Sequence, residues 1–432
     1  MASSTIVSKK MIKLFSPTPP SLRCHKLSFM DHINIPLHSP FAFFYPKPQN
    51  YSNKISQISQ ILENSLSKVL SFYYPLAGKI KDNNTYVDCD DTGAEYLNVR
   101  INCPMSQILN HPYNDVVDVV FPKDLPWSST LNRSPLVVQL SHFDCGGIAI
   151  SACMSHAIID GYSSTKFIND WAAIARHVDF KPSPQFNAST FFPLMMRDAS
   201  SSTLPVMHHP SQRHVSRIYN FSSSNLGRLK DIVTKNSHVN NPTRLEVASA
   251  LVHKCGVIMS MEKSGMFKPT LMSHAINLRP PIPLNTMGNA TCIILTKTMT
   301  EDEVKLPNFV AQLQKDKQQL RGKLKDMNKD MIPLYTLELA KNVMNIIEKD
   351  TCDVYLCSGI SNTGLHKIDF GWGRPVRVTL ATHPMKNNFL FLDEPSGDGI
   401  NVLITLTKDD MLNFQNNKEL LQFASPVVES TK

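Results

Sequence analysis

A two-domain α/β fold is predicted by three observations. Helical and strand-like hydrophobic periods are mixed through both halves of the chain. The chain has 432 residues, more than one hydrophobic core usually serves. Residues 181–211 lose periodicity among Phe-Pro, Ser-Ser-Ser, Leu-Pro and His-His-Pro elements, which suggests a crossover between domains. The predicted division is an N-terminal domain over 1–180, a crossover loop over 181–211 and a C-terminal domain over 212–432.

The elements follow in order. Cys24 to Phe29 reads as a strand, as does the aromatic run Phe41-Ala42-Phe43-Phe44-Tyr45 that Pro46 ends. Ile55, Ile58, Ile61, Leu62, Leu66, Val69 and Leu70 recur at spacings of three and four, which predicts one apolar helix face. Pro75 and Gly78 end that period. Leu136 to Phe143 and Ile148 to Met154 read as strands joined by the turn Asp144-Cys145-Gly146-Gly147. A helix then runs through Phe167, Ile168, Trp171 and Ile174, with Ser163 or Ser164 as its expected N-cap. Helices are predicted over 245–258, 309–324 and 337–347, and strands over 376–380, 388–392 and 402–406. Gly397-Asp398-Gly399 reads as a hairpin between the last two strands.

Bulk properties narrow the class. A chain 42% hydrophobic and 19% charged is globular. No apolar run approaches the roughly 18 residues of a membrane span, and the first ten residues carry no signal-peptide core, so a cytoplasmic protein is expected. The nine cysteines are scattered without a C-x-x-C pair, which fits reduced thiols and predicts neither disulfides nor a metal site. The net charge of +8 is spread along the chain, so nucleic-acid binding is not expected; the surplus suits a phosphate-bearing small ligand and equally suits ordinary solubility. G-x-S-x-G, P-loop, G-x-G-x-x-G and H-E-x-x-H patterns are absent, which argues against serine hydrolases, nucleotidases, dinucleotide enzymes and zinc proteases.

Two motifs can carry chemistry. In His156-Ala157-Ile158-Ile159-Asp160-Gly161 a histidine ends a strand, where an imidazole with an ordinary pKa near 6.5 can act as a general base. The spacing to Asp160 invites a catalytic dyad. The same spacing in His111-Pro112-Tyr113-Asn114-Asp115 lies in a polar, Pro-broken stretch and reads as a chance match. Cys153 lies close enough in sequence to make a Cys–His nucleophile a rival. The second motif is Asp369-Phe370-Gly371-Trp372-Gly373. Two glycines around one of three tryptophans predict an unusual backbone about a large ring; a buried structural turn is the favoured reading, because no residue there is a natural nucleophile or base, with Asp369 the acidic candidate otherwise.

Together the two motifs resemble the paired signatures of the plant BAHD acyl-CoA-dependent acyltransferases. Tyr74-Pro75-Leu76-Ala77-Gly78-Lys79, Asn277-Leu278-Arg279 and Met287-Gly288-Asn289 resemble further elements of that family, so the likeness covers nearly the whole chain. Ser16-Pro17-Thr18-Pro19, Phe43-Phe44-Tyr45-Pro46 and Phe143-Asp144-Cys145-Gly146-Gly147 look most like the branch with acylsugar acyltransferases, the capsaicinoid-type synthase and alkaloid acetyltransferases. Asp82-Asn83, Gly93-Ala94-Glu95 and Pro122-Lys123-Asp124-Leu125-Pro126-Trp127 tilt it toward the first two. Ser155 stands where related condensation domains carry a second histidine.

The resemblance implies two similar chloramphenicol-acetyltransferase-like domains with mixed sheets and a solvent channel between them. It implies a monomer with no permanently bound cofactor, taking acyl-CoA as co-substrate and a small hydroxyl acceptor. It implies His156 as the base and Asp160 turned away onto Arg279. Thr243, Lys254, Ser361 and Asn362 become candidates for CoA, although Lys254 reads equally as a solvated helix residue. Gly371, Trp372 and Gly373 are structural supports. The implied reaction esterifies sucrose or an acylsucrose. The alternatives are an alkaloid O-acetyltransferase, an N-acyltransferase and a catalytically silent ligand-binding relative.

Overall fold

The computed structural model describes residues 2–34, 36–48, 55–81, 84–176, 179–194, 214–235, 237–328, 331–395 and 397–427. The Asp82-Asn83 pair and most of the predicted crossover, from residue 195 to 211, lie outside the described residues.

Two mixed sheets organise these residues. The first runs Ser4–Ile12, Ala94–Ile101, Leu136–Phe143, Ile148–Ser155, His38–Tyr45, Arg377–Leu380. Its neighbours are antiparallel except Ala94–Ile101 beside Leu136–Phe143. The second runs Thr291–Thr298, Thr270–Asn277, Asp353–Ile360, Asn388–Asp393, Ile400–Thr407, His214–Phe221, Ser425–Pro426. Asp353–Ile360 lies parallel to both of its neighbours there.

Alternation along the strands explains how the first sheet is covered. Phe41, Phe43 and Tyr45 point to one face and pack with Leu62, Leu66 and Trp171. Ala42 and Phe44 point to the other and pack with Val99, Phe143 and Cys153. His38–Tyr45, Leu136–Phe143 and Ile148–Ser155 are buried at every residue, so they read as largely apolar runs without a solvent-facing alternation. The helix Ile55–Leu70 buries Ile58, Leu62, Leu66 and Val69, as its spacing predicts. Trp171 of the helix Gly161–Ala175 donates its indole N–H to Ser65 Oγ at 3.0 Å, joining the two helices. Lys9 and Lys10 sit on the edge strand Ser4–Ile12, where charge discourages pairing with another sheet. In the second half Phe309, Tyr355 and Phe389 pack with Leu251 of the long helix Arg244–Ser264.

Three expectations change. The predicted strand over 24–29 is cut to Cys24–Lys26, and Phe29–Ile33 is a helix. Ser28 and Asp31 form a reciprocal capping box that starts it. The N-cap of Gly161–Ala175 is Asp160, whose Oδ1 accepts the Ser163 amide at 2.8 Å, so neither Ser163 nor Ser164 caps it. Finally, the sheets do not part at one point in the sequence. Arg377–Leu380, from the late half, pairs with His38–Tyr45 and completes the first sheet. The described start of the crossover behaves similarly. Phe186 meets Tyr73 and Tyr74 edge-on or tilted, while Gln185 bridges to Thr286 of the other half.

Candidate active site

His156 follows the last residue of the strand Ile148–Ser155 and is fixed through its backbone from both halves of the chain. Its N–H donates to Leu37 O at 2.8 Å, and its carbonyl accepts Asn289 Nδ2–H at 2.7 Å. Asn289 is held in turn by Asp31 Oδ1, which accepts its backbone N–H at 2.6 Å and its side-chain N–H at 2.9 Å. Burial raises the pKa of the Asp31 carboxyl to about 6, against the four N–H and O–H donors from Ser28 and Asn289. The imidazole itself is left uncommitted. Its Nδ1 is buried without a hydrogen-bond partner among the described residues.

The ring lines a cavity of about 450 Å³ built from both halves. Ser39, Phe41, Trp127 and Tyr162 contribute from one side, and Asn277, Thr291, Ser361 and Asn362 from the other. Gly161, the glycine that closes the motif, allows this approach. A Cβ there would come within 3.3 Å of Ile360 Cδ1 across the cavity.

The dyad that the His156–Asp160 spacing invites does not form. Asp160 Oδ2 accepts from Arg279 Nη1 at 2.8 Å and from the Ala290 amide at 3.0 Å, while Oδ1 is used in the helix cap. The pair is shut off from solvent, with side chains 0% and 1% exposed. Arg279 is saturated as well: it donates to Thr286 O at 3.0 Å, Gly288 O at 2.9 Å and Asn277 Oδ1 at 2.9 Å. Each buried charge thus has its counter-charge and its hydrogen bonds, without which its burial would be costly.

Asp369 is an organiser of its loop, not a member of the cavity wall. Its Oδ1 accepts the amides of Gly371 at 2.7 Å and Gly373 at 2.9 Å, and Arg176 donates to its carbonyl oxygen. Gly371 and Gly373 have φ of +115° and +101°, a region that favours glycine. Between them Trp372 stacks on Phe370 at 5.7 Å and meets Tyr45 edge-on at 6.2 Å. Phe370 meets Trp171 at 4.9 Å, and Tyr45 Oη donates to Ile368 O at 3.1 Å. The motif therefore docks the late segment onto the first sheet just before it enters as Arg377–Leu380.

The CoA candidates separate. Ser361 and Asn362 line the cavity. Thr243 caps the helix Arg244–Ser264 in a reciprocal box with Glu246. It reaches the cavity only through its neighbour Arg244, which donates to Asn362 Oδ1 at 3.1 Å. Lys254 is paired with Glu419 at 2.7 Å and lies about 16 Å along that helix from Thr243. The Cys153 side chain points to the opposite sheet face, among Ala42, Phe44 and Phe143, and burial pushes its thiol far above the ordinary range. A Cys153–His156 nucleophile is thereby removed. No group of three His, Cys, Asp or Glu residues able to hold a metal occurs among the described residues.

With this geometry the comparisons are decisive. The sequence pattern of the Transferase family matches residues 2–421. The chain belongs to that family, the BAHD acyltransferases. Acylsugar acyltransferase 3 of Solanum lycopersicum is 83% identical to this BAHD chain over 434 residues, covering 100% of each. Acyltransferase Pun1 of Capsicum frutescens is 38% identical over 97% of each. The crystal structure of vinorine synthase superposes with a TM-score of 0.83 at 28% identity, over 99% of this chain and 100% of that one. The protein is an acyl-transferring enzyme with the two-domain mixed α/β fold of that structure. Among the described residues no helix is long and apolar enough to cross a membrane.

Three residues about the site were not singled out from the sequence. Asn289 and Trp127 lie within motifs of the family resemblance only, and His383 lies in none. Each is brought in by a contact more than a hundred residues distant in the chain, which no local period encodes.

Proposed function

We propose that this enzyme transfers an acyl group from an acyl-CoA to a hydroxyl of sucrose or an acylsucrose, with His156 as general base. The observation that carries the reading is the uncommitted His156 imidazole in a cavity shared by both halves. The 83% identity to acylsugar acyltransferase 3 supports the acceptor class. His156 takes the proton of the acceptor hydroxyl as that oxygen attacks the thioester carbonyl. The tetrahedral intermediate collapses to the ester and CoA thiolate, and the imidazolium returns its proton to the sulfur. A neutral alcohol provides negligible alkoxide, so a positioned base supplies about 10²–10⁴-fold. Holding both substrates in one cavity adds the advantage of proximity. No acyl-enzyme is needed.

In this reading Ser361 and Asn362 meet CoA, and the start of the helix Arg244–Ser264 continues that face. Asp160, Arg279, Asp369 and the Gly371–Gly373 turn hold the frame. The working species is a cytosolic monomer divided as 1–180, 181–211 and 212–432, with Arg377–Leu380 lent to the first domain. Pooled acyl-CoAs offered with a partially acylated sucrose mixture, beside an alkaloid alcohol mixture, test the reading by mass spectrometry of products. Acylsucroses gaining one acyl group are expected. Products from the alkaloid alcohols alone would overturn the acceptor class.

A further inference from the structure

The cavity holds a second imidazole with its own geometry. Phe41 pairs with Leu380, and His38 pairs with Ser155. Past Leu380 the edge of His38 turned away from Ser155 is taken by Ser128, whose carbonyl accepts the His38 N–H at 2.9 Å, and His383 reaches the cavity over Trp127. Both imidazoles line the cavity to which the strand His38–Tyr45 contributes Ser39 and Phe41.

The tautomer of His383 is fixed by its neighbours. The backbone N–H of Met385 donates to His383 Nδ1 at 3.1 Å, so the ring proton sits on Nε2. Trp127 holds the ring edge-on at 4.7 Å. It is itself pinned by its backbone N–H to His38 O at 2.9 Å and by its indole N–H to Ala381 O at 3.4 Å. Trp127 adopts φ +57°, a conformation that bulky residues rarely take and that persists when surroundings enforce it. Burial lowers the His383 pKa to about 4, so the ring stays neutral near pH 7. It is a fixed donor, not a second base.

We propose that His383 is an acceptor-binding residue: its Nε2–H donates to an oxygen of the acceptor while His156, in the same cavity, takes the proton of the reacting hydroxyl. This rests on the acyl-transfer reading above and deepens it. A rigid neutral donor sharing a cavity with a base suits an acceptor with several oxygens, a polyol or its partial ester, better than a molecule with one hydroxyl. A hydroxyl or an ester carbonyl of such an acceptor can accept the bond.

The test uses the full chain and the acceptor that wild type turns over best in the panel above. The identity of that acceptor judges the functional reading separately. His383→Phe keeps an aromatic ring against Trp127 and removes the donor; His383→Gln restores an N–H. The acceptor KM should rise roughly 5- to 30-fold in His383→Phe, as for one buried hydrogen bond. The acyl-CoA KM, the thermal midpoint and kcat should change little, and His383→Gln should recover most of the loss. The assignment is overturned by an unchanged acceptor KM in a folded His383→Phe enzyme, or by a loss confined to kcat, as for a donor to the oxyanion. An effect on acyl-CoA KM, or a glutamine variant as impaired as the phenylalanine one, would equally overturn it.

Discussion

The two motif corners differ in what their polar groups are free to do. At the His156 corner the backbone is bonded from both halves while the ring keeps a buried Nδ1 with no partner among the described residues. At the Asp369 corner the carboxylate is consumed by two loop amides, and the large ring is packed between Phe370 and Tyr45. A polar group spent on its own fold has nothing left for a substrate. The difference teaches that a motif's distinctiveness in sequence is a poor guide to its chemistry: the more specific of the two signatures is spent on architecture, and the weaker one carries the ring left free of it.

That contrast can be broken first at its strongest point. His156→Ala should lower kcat by about 10²–10⁴-fold while the thermal midpoint stays near wild type, because the fold uses the His156 backbone and not its ring. Steady-state rates beside a melting curve decide it. Retained ester formation would remove the base from the mechanism. Asp160, four residues on, should behave oppositely. Asp160→Ala leaves Arg279 charged and buried, and should cost about 3–5 kcal/mol of stability, measured by denaturant unfolding. Arg279→Ala should cost a similar amount, and the double variant less than the sum, because the two share one interaction. A well-folded but inactive Asp160→Ala enzyme with an unmoved midpoint would restore the dyad.

The reach of the sequence follows the range of the forces. The helix Ile55–Leu70 was legible because a buried face repeats every three or four residues, whatever it packs on. The strands Leu136–Phe143 and Ile148–Ser155 were legible because a Gly-Gly turn separates two apolar runs. Asp160 was legible as a partner of Arg279 through the resemblance alone. As the helix N-cap it was passed over, since serine three residues later caps equally well by propensity. The helix Phe29–Ile33 was hidden because its capping box uses Asp31, not the usual Glu or Gln, and the segment is short and apolar enough to pass for a strand. Arg377–Leu380 reads correctly as a strand, but nothing local says which sheet it joins. The cavity wall has the same difficulty. His383 and Trp127 reach it through contacts with each other and with His38 and Ala381, tertiary facts with no periodic trace.

The Asp369 corner offers a smaller effect. Asp369→Ala strands the amides of Gly371 and Gly373 at a loop water can reach, so the loss should be about 1–2 kcal/mol. kcat should fall far less than in His156→Ala. Differential scanning calorimetry with parallel rates checks both numbers. A rate loss matching His156→Ala at full stability would move Asp369 from architecture to chemistry.

The smallest effect is expected at Lys254, and it separates the two ends of the proposed CoA face. Its ammonium is already held by Glu419, on a pair whose side chains are 25% and 32% exposed. Partly exposed pairs of this kind contribute about 0–1 kcal/mol. Lys254→Ala should therefore leave the acyl-CoA KM within about twofold of wild type, since the charge it removes is already neutralised locally. Asn362→Ala, at the cavity wall beside Arg244, should raise that KM several-fold. Inhibition by free CoA gives an independent reading, because it needs no turnover. If Lys254→Ala weakens CoA and Asn362→Ala does not, the CoA face runs along the helix toward Glu419 instead of over Ser361 and Asn362.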